Sequence, residues 1–297
     1  MIVVLGSASM DLTTYVAVAP VLGETVMGRE FRTVPGGKGA NQAIAAARAG
    51  GRVSMIGAVG DDSFGDPVRR TLAESGVDTA GMRTVEGPTG TAHIVVDDNG
   101  GNSIVVVPSA NATITGAEEG DAERIAGADF LLLQLEAPMA AAITGAEVAR
   151  ANGTTVVLTP APAQDLPDEL LSNVDILVPN EHEARVLSGV DDLDKTIEWL
   201  LERVPVAVVT LGEQGCLYAA RGGERVTVPA FPVTPVDTTA AGDTFVGALA
   251  VALGEKKPTE EALTWASAAA AIAVQRPGAS SSMPTRGEID QLVASRA

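Results

Sequence analysis

The amino-acid sequence predicts an α/β fold in which helices cover both faces of a mostly parallel sheet. Apolar runs of strand length alternate along the chain with segments in which apolar residues recur at helical spacing. Such alternation is typical of parallel sheets, because a helix usually carries the chain back to the start of the next strand. In addition, 46% of the 297 residues are hydrophobic, which is enough for a sizeable core.

Each element follows from its local pattern. Strands are predicted where short runs are rich in Val, Ile and Leu, and helices where small apolar residues recur every three or four positions. The predicted strands lie at 2–6, 53–59, 130–135, 155–159, 176–178 and 206–211, and the predicted helices at 43–49, 67–75, 140–151, 181–187, 197–201, from 240 onward and at 266–273. In such a fold, ligands bind at the carboxyl ends of the strands.

Two segments, 12–34 and 91–107, interrupt the alternation. Both are rich in Val, Thr and Ile, have no helical period, and contain turn signals at Pro20 and at 98–101. They form either a small β-sheet lid over a ligand site or two surface hairpins without function. No linker or internal repeat divides the chain, so we predict a single domain over 1–297, with an α/β core formed by the remaining residues.

The composition excludes several classes of function. The formal net charge of −18 argues against nucleic-acid binding, which needs clustered Lys and Arg. The single cysteine, Cys216, excludes an internal disulfide, and two histidines provide no zinc site. No apolar run approaches the roughly 20 residues of a membrane span, and no basic segment of a signal peptide precedes the first strand. We therefore expect a cytoplasmic protein without a membrane partner.

Asp243 stands in the predicted first turn of the helix that begins near 240. The residues before it, Ala240, Ala241 and Gly242, have small side chains that leave the backbone N–H groups of this turn accessible. A phosphate is the expected ligand, because the N-terminus of a helix attracts anions. The alternative is that Asp243 only caps the helix, which is the commoner role of Asp before an apolar run.

A second glycine cluster, at 36–42, also runs into a predicted helix. Two helix N-termini with small residues suggest two anionic or polar ligands. The cluster is not a P-loop, since Arg32 and Gly39 stand where that motif needs Gly and then Ser or Thr. Gln42 stands in the last position of the dinucleotide-binding fingerprint, which argues against a dinucleotide oxidoreductase.

Together, these two regions resemble the signature regions of the ribokinase-type carbohydrate kinase family. Further segments match the family in the same order and span essentially the whole chain: Gly6, Ser7 and Asp11, followed by residues 134–136, 160–163, 179–183 and 210–215. The resemblance implies a ribokinase-like three-layer α/β/α sandwich with a mostly parallel central sheet and a small β-sheet lid. It also implies a homodimer in which the lids of two chains pair.

The resemblance assigns roles to residues near both glycine clusters. Asp243 would be the catalytic base, and Ala240, Ala241 and Gly242 would form an anion hole. The implied sugar-binding residues are Ser9, Met10, Asp11, Gly37, Lys38, Gly39, Ala40, Asn41, Glu136 and Asp243. Without the resemblance, Lys38 is equally well explained as a solvated lysine in a glycine turn.

The resemblance also implies ATP as co-substrate, with Mg²⁺ and a monovalent cation, K⁺. The implied ATP-binding residues are Asn180, Leu211, Gly212, Glu213, Gln214, Gly215, Cys216, Gly242, Asp243 and Ser267. Asn180 and Glu183 would place Mg²⁺ through water. The K⁺ ligands would be the carbonyls of Thr239, Ala273, Arg276 and Gly278 and the side chains of Asp237 and Ser282. Glu183 alone would be interpreted as an exposed helix residue, and 276–282 as an ordinary Gly-Ser turn.

The chain has few aromatic residues, so we expect apolar packing and backbone contacts, without an aromatic clamp, to hold the adenine.

The implied reaction is transfer of the γ-phosphate of ATP to O5 of D-ribose, giving D-ribose 5-phosphate. Three departures from the commonest bacterial pattern bear on the sugar: Ser9 and Thr159 both replace Asn, and Pro108 with Ser109 replaces a smaller pair. The alternatives are therefore a kinase of 2-deoxyribose, another furanose sugar or a nucleoside, and a non-catalytic sugar or nucleotide sensor.

Overall fold

The computed structural model describes residues 1–116 and 118–296. Within these residues, nine strands form the central sheet, in the spatial order β13-β12-β11-β10-β9-β8-β1-β4-β5. They are β1 (Ile2–Leu5), β4 (Val53–Gly60), β5 (Asp78–Val85), β8 (Phe130–Leu133), β9 (Thr155–Leu158), β10 (Ile176–Leu177), β11 (Val206–Thr210), β12 (Cys216–Ala220) and β13 (Arg225–Val228). The sheet is parallel from β11 to β5, whereas β12 runs antiparallel to both of its neighbours.

Helices cover both faces of this sheet, which confirms the predicted three layers. The helices are α1 (Lys38–Arg48), α2 (Gly65–Glu74), α3 (Asp121–Ala126), α4 (Met139–Asn152), α5 (Asp168–Leu171), α6 (Glu181–Ser188), α7 (Leu193–Arg203), α8 (Ala241–Gly254), α9 (Thr259–Ala273) and α10 (Arg286–Ala294). Along β1, Val4 belongs to the core cluster that contains α1, α8 and α9. Val3 and Leu5 belong to the cluster that contains α4, α5 and α7. The alternation of β1 side chains thus supplies both cores, as expected for a strand buried on two faces.

A second sheet is formed by the two segments that interrupt the alternation. Its strands are β2 (Ser9–Tyr15), β3 (Glu30–Gly36), β6 (Gly90–Val96) and β7 (Asn102–Val107), in the order β3-β2-β6-β7. β2 and β6 are parallel, and each outer strand is antiparallel to its neighbour. The prediction of a small separate sheet is therefore confirmed.

The prediction for the first helix was wrong at its start, because α1 begins at Lys38 and not at residue 43. Much of the glycine cluster at 36–42 is thus the first turn of α1. The reason is a close backbone approach: a Cβ on Gly39 would lie 2.7 Å from the carbonyl carbon of Gly6. Only glycine permits this contact, and it brings the Ala40 N–H to within 2.9 Å of the Ser7 carbonyl oxygen.

Several short elements escaped the sequence analysis: β5, β12, β13, α3, α5 and α10. Their apolar runs are short, and their positions depend on packing rather than on a local period. Among the residues that the structure describes, none of the helices is long and apolar enough to span a membrane.

The fold brings the carboxyl ends of the parallel strands and two helix N-termini to one edge. α1 and α8 pack side by side in the same direction, so that Gln42 lies beside Asp243 and Ala45 lies beside Gly247. A Cβ on Gly247 would lie 2.7 Å from the Cβ of Ala45, so the helices can approach this closely only at a glycine. The site described below is built at this edge.

Candidate active site

Asp243 lies in the first turn of α8 and is only 6% exposed. Its Oδ1 accepts a hydrogen bond of 3.1 Å from Nε2 of Gln42, and its Oδ2 accepts one of 3.4 Å from Nδ2 of Asn41. Burial raises the pKa of the Asp243 carboxyl to about 6, although the charge of Lys38 and the hydrogen bond from Gln42 oppose this change. A buried carboxyl with a pKa near neutrality is suited to accept a proton.

The N-terminus of α8 carries accessible backbone donors. Ala240 has a left-handed conformation, with φ of 58°, and it precedes the first helical residue. The amides of Ala240, Gly242 and Asp243 have no hydrogen-bond partner among the described residues. Ala241 was also predicted to be part of the anion hole, but its amide donates to the Thr238 carbonyl at 3.2 Å. A Cβ on Gly242 would meet no atom within 4 Å, so this residue borders open space.

A cavity of about 510 Å³ lies on one side of this helix end. Of the residues predicted to bind ATP, those on its wall are Gly212, Glu213, Gly215, Gly242 and Ser267. Leu211, Gln214 and Cys216 are not on that wall. The Cys216 side chain points into the core, with Sγ 3.7 Å from Oγ of Ser267, and burial raises the pKa of its thiol.

The sequence analysis missed most of the apolar wall of this large cavity. The additional lining residues are Ala230, Phe231, Pro232, Val233, Pro235, Phe245, Ala270, Ala271 and Val274. Two of them, Phe231 and Phe245, are aromatic, and the others are apolar, so the wall offers the apolar packing that was expected for the adenine. A local signal existed only for α8 and α9, whose apolar residues were identified but assigned to the core.

A smaller cavity, of about 200 Å³, adjoins the same helix end. Its wall includes Lys38, Asn180, Glu183 and Asp243. Burial lowers the pKa of Lys38, but the surrounding carboxylates, with Asp243 foremost, outweigh burial and raise it. Lys38 is therefore a half-buried cation among carboxylates rather than a solvated surface residue.

Asn180 and Glu183 begin α6 with a reciprocal capping box. Oδ1 of Asn180 accepts the N–H of Glu183 at 2.7 Å, and Oε2 of Glu183 accepts the N–H of Asn180 at 2.8 Å. Burial raises the pKa of Glu183, whose carboxyl borders the smaller cavity. Among the described residues, no three His, Cys, Asp or Glu side chains converge as a metal site. The donor set of Asn180 and Glu183 nevertheless fits Mg²⁺, which keeps several waters and takes few protein oxygens.

The two cavities share Thr210, Thr238, Ala241 and Gly242 in their walls. The N-terminus of α8 thus lies where a large, mostly apolar cavity adjoins a small, charged one. A group held where the cavities adjoin would meet the free amides of α8 and the Asp243 carboxylate.

A polar cluster extends from Asp243 toward the small sheet. Oγ of Ser9 donates to Oδ1 of Asp11 at 3.4 Å, and burial, followed by the charge of Glu136, raises the pKa of Asp11 to about 6. Oε2 of Glu136 accepts from Oγ of Ser7 at 2.6 Å and from the N–H of Lys38 at 2.9 Å. Oδ1 of Asn41 is buried without a partner among the described residues.

The remaining residues predicted to bind sugar surround this cluster. Gly37 has φ of 93°, which favours glycine, and it precedes α1. Gly39 and Ala40 belong to the first turn of α1, close to the backbone of Ser7. Met10 was predicted to bind sugar, but its side chain is buried in the core cluster.

The predicted cation loop is brought together by Asp237. Its Oδ1 accepts from the N–H of Thr239 at 2.9 Å, and its Oδ2 accepts from the N–H of Gly278 at 2.8 Å. Although burial raises the pKa of Asp237, its hydrogen bonds to Thr239 and Gly278 outweigh burial and lower it. The Ala273 carbonyl accepts from the N–H of Arg276, and Ser282 is fully buried on the same loop. This all-oxygen donor set fits a hard monovalent cation.

Comparisons with known proteins agree with this geometry. The pattern of the pfkB family of carbohydrate kinases matches residues 1–286. A ribokinase from Bacillus subtilis is 45% identical over 296 residues, which are 99% of each chain, and a deoxyribokinase from Salmonella typhi is 35% identical over 99% of this chain and 98% of its own. The solved structure of Arabidopsis thaliana ribokinase complexed with ribose and ATP has a TM-score of 0.93 at 34% identity and covers 98% of both chains. This chain belongs to the pfkB family of carbohydrate kinases, which are phosphotransferases that act on a sugar hydroxyl.

Proposed function

We propose that the protein transfers the γ-phosphoryl group of ATP to O5 of D-ribose and so produces D-ribose 5-phosphate. The observation that carries this proposal is the position of Asp243, which lines the smaller cavity directly after Gly242, a residue that lines both cavities. The similarity to ribokinases over nearly the whole chain supports the choice of sugar.

The large cavity would take the adenosine, with Phe231 and Phe245 as part of its apolar wall. The phosphates would then reach the free amides of Gly242 and Asp243 at the end of α8, where the helix dipole favours negative charge. Charge in the loose transition state of phosphoryl transfer lies on the equatorial oxygens, so such donors stabilise it.

Asp243 would orient the sugar hydroxyl and accept its proton as the new O–P bond forms. Full deprotonation of the hydroxyl in the ground state is not required, because the transition state is loose. Lys38 lies in the same small cavity and is held protonated by its carboxylate neighbours. We propose that it neutralises charge on the transferred group.

The polar cluster would hold the ring hydroxyls of the sugar. Asp11 and Glu136 supply acceptors, and the unpaired Oδ1 of Asn41 would gain a donor from a sugar hydroxyl. A site of this kind discriminates by hydrogen bonding, because a missing hydroxyl leaves buried groups unpaired.

We further propose the residues that hold two metal ions. Asn180 and Glu183 would hold Mg²⁺ through water, and Mg²⁺ would neutralise the negative charge of the phosphates. The loop organised by Asp237 would hold K⁺, with the carbonyls of Thr239, Ala273, Arg276 and Gly278 and the Ser282 hydroxyl as the other ligands. Because Thr239 precedes the N-terminus of α8, an ordered loop would stabilise the position of the anion hole. ATP as co-substrate is consistent with a cytoplasmic location.

The small sheet would act as a lid and as a dimer surface. Its strands and the loop after β2 expose large apolar side chains: Val18, Val21, Leu22, Met27, Phe31, Ile104, Val105, Val106 and Val107. Exposed apolar surface of this extent is typical of an interaction site. We propose that two copies pair through it.

The second candidate is the same reaction on 2-deoxyribose. The shorter Ser9 favours it, because the Ser9 hydroxyl already points to Asp11 and offers fewer hydrogen bonds than Asn to a 2-hydroxyl. The similarity to a deoxyribokinase supports keeping this sugar in the comparison. Another furanose sugar, a nucleoside and a non-catalytic sensor are tested by the same assay.

The test measures ADP release from MgATP with ribose, 2-deoxyribose, fructose, adenosine or no sugar. Each reaction is run in K⁺ and in an equal concentration of a bulky organic cation. We expect turnover that depends on ribose and is raised by K⁺. A higher kcat/KM for 2-deoxyribose than for ribose would make 2-deoxyribose the proposed substrate. Equal rates in both cations would refute the proposed K⁺ site. Tight ribose binding without turnover would indicate a sensor.

A further inference from the structure

We infer that Gln42 and Gln134 are positioning residues that fix the orientation of the Asp243 carboxylate, through a chain of buried amide hydrogen bonds. The chain holds one carboxylate oxygen and leaves the other for the sugar hydroxyl. This inference rests on the proposed function, because it assigns a role within the proposed phosphoryl transfer.

The chain runs from the end of β8 through α1 to α8. Nε2 of Gln134 donates to Oε1 of Gln42 at 2.6 Å. Nε2 of Gln42 donates to Oδ1 of Asp243 at 3.1 Å and to Oγ1 of Thr159 at 3.1 Å. Gln42 and Gln134 are 0% and 1% exposed, so water does not compete for these bonds.

The direction of every bond in the chain follows from the carboxylate. An ionised carboxylate only accepts hydrogen bonds, so Gln42 must turn its nitrogen toward Asp243. Its oxygen then faces Gln134, which must in turn present its own nitrogen. Gln134 therefore supports the orientation of the Gln42 amide that the carboxylate requires, and Gln42 in turn holds Asp243.

The chain is maintained at a cost, which argues against a purely structural role. Oε1 of Gln134 is buried without a hydrogen-bond partner among the described residues. It lies against the backbone of Gly6, where a Cβ would be 2.1 Å from it. An unpaired buried acceptor is destabilising, and an apolar side chain would fill this place without that penalty. An amide at this position is explained by the bond that it donates to Gln42.

The held oxygen, Oδ1, accepts a hydrogen bond of 3.1 Å from Gln42, whereas among the described residues Oδ2 has only the 3.4 Å contact with Asn41. Rotation of the carboxylate about its Cβ–Cγ bond by less than a half turn would break the Gln42 bond and turn both oxygens away from their present directions. We therefore expect the chain to act on kcat, through the geometry of proton acceptance, and not on the binding of either substrate.

The experiment compares Gln42→Met, Gln134→Met and the double variant with the wild-type protein. Methionine retains the length of the side chain but removes the amide. We expect kcat to fall about 10- to 100-fold in Gln42→Met and by a smaller factor in Gln134→Met, with each KM within about 3-fold of wild type. The double variant should be no slower than Gln42→Met, because the chain is already interrupted at Asp243.

Thr196→Val is the matched control. Thr196 is buried, its Oγ1 donates to the Val190 carbonyl at 3.0 Å, and neither residue lines either cavity. This variant also loses a buried hydrogen bond, so its thermal midpoint should be similar to those of the glutamine variants. If kcat then falls only in the glutamine variants, the result supports a positioning role. Wild-type kcat in both glutamine variants, or factors that multiply in the double variant, would overturn the inference.

A second readout does not need turnover. The pKa of Asp243 is followed by NMR of its carboxyl carbon, with Lys38, Glu136 and Asp11 as the charged groups that face it. Loss of the Gln42 bond should raise this pKa, whereas Thr196→Val should leave it unchanged. An unchanged pKa of Asp243 in Gln42→Met would overturn the inference, and this measurement does not require an active enzyme. If the wild-type protein phosphorylated none of the sugars, that result by itself would refute only the proposed function.

Discussion

At the scale of single residues, the site places carboxyl groups where they are poorly solvated. Asp243 is buried and Asp11 is half-buried, both close to Glu136, and burial is the main reason that the pKa of each is raised to about 6. Hydrogen bonds from Gln42 and Ser9 oppose the change without cancelling it. Both groups therefore titrate close to neutral pH, which links activity and stability to pH.

The first prediction concerns the pH dependence of activity. Asp243 must be ionised to accept a proton, so kcat/KM for the sugar should fall as the pH decreases below about 6. Protonation of Asp11 in the same range should steepen the fall, because it removes an acceptor for a sugar hydroxyl. The profile is measured from pH 4.5 to 9 by ADP release. Activity maintained down to pH 4.5 would contradict the prediction.

The second prediction is that Asp243→Asn loses activity but gains stability. The kcat should fall at least ~10²-fold, the low end for a positioned base. The folded-state pKa of Asp243 lies above its ordinary value of 3.8, so this group favours folding below about pH 4, and that contribution is lost as the pH rises through 6. Asparagine avoids the buried charge, so unfolding at pH 8 should require about 1–3 kcal/mol more than in the wild type.

Urea unfolding at pH 8 and pH 4 measures this difference, which should vanish at pH 4. Glu198→Gln, at an exposed position on α7, is the control and should change stability little at either pH. Near wild-type turnover of Asp243→Asn would reduce Asp243 to a helix cap.

At the scale of elements, the site depends on how closely α1 and α8 approach. The Gln42 to Asp243 hydrogen bond lies one turn from the contact of Gly247 with Ala45 and Ala46. The spacing of the helices therefore sets the length of that bond.

We predict that Gly247→Ala is destabilising by about 1–3 kcal/mol, because its Cβ would be 2.7 Å from the Ala46 nitrogen and 2.8 Å from the Gln42 carbonyl oxygen. It should also lower kcat by separating Gln42 from Asp243. Gly254→Ala is the matched control on the same helix, since its Cβ would meet only the Phe130 ring at an ordinary 3.6 Å. Equal stability and activity of the two variants would show that the close approach is unimportant.

The small sheet carries a prediction about assembly. Phe31 and Val105 are 61% and 64% exposed, and strand pairing places them on the same face as Leu12 and His93. The double substitution Phe31→Glu and Val105→Glu should convert a dimer into a monomer in sedimentation velocity. Val186→Glu, at an exposed position on α6, should leave the dimer intact. A wild-type monomer would refute the proposed pairing.

At the scale of the whole molecule, the net charge of −18 opposes the binding of an anionic nucleotide. Raising the ionic strength from about 20 to 200 mM with choline chloride, at constant K⁺, screens this repulsion. We predict that KM for MgATP falls about 2-fold, while KM for the uncharged sugar is unchanged. An increase of KM for MgATP with salt would indicate that local positive charge dominates the encounter.

The sequence by itself determined the features that depend on local pattern. The alternation of strand and helix periods predicted the layered sheet, and β-branched runs without a helical period predicted the small sheet. Asp243 was identified because small residues and an apolar helix surround it in the chain. Each of these signals lies within a few residues of the feature that it predicts, so no tertiary contact was needed.

Only the tertiary structure decided which groups meet. The hydrogen bond from Gln42 to Asp243 joins residues 201 positions apart, and the bond from Gln134 to Gln42 joins residues 92 positions apart. The start of α1 depends on the approach of Gly39 to Gly6, and the turn of Cys216 into the core depends on the packing of β12 against α9. The sequence specified the chemistry available at the end of α8, whereas packing between distant elements decided which groups form hydrogen bonds with its carboxylate and which residues line the two cavities.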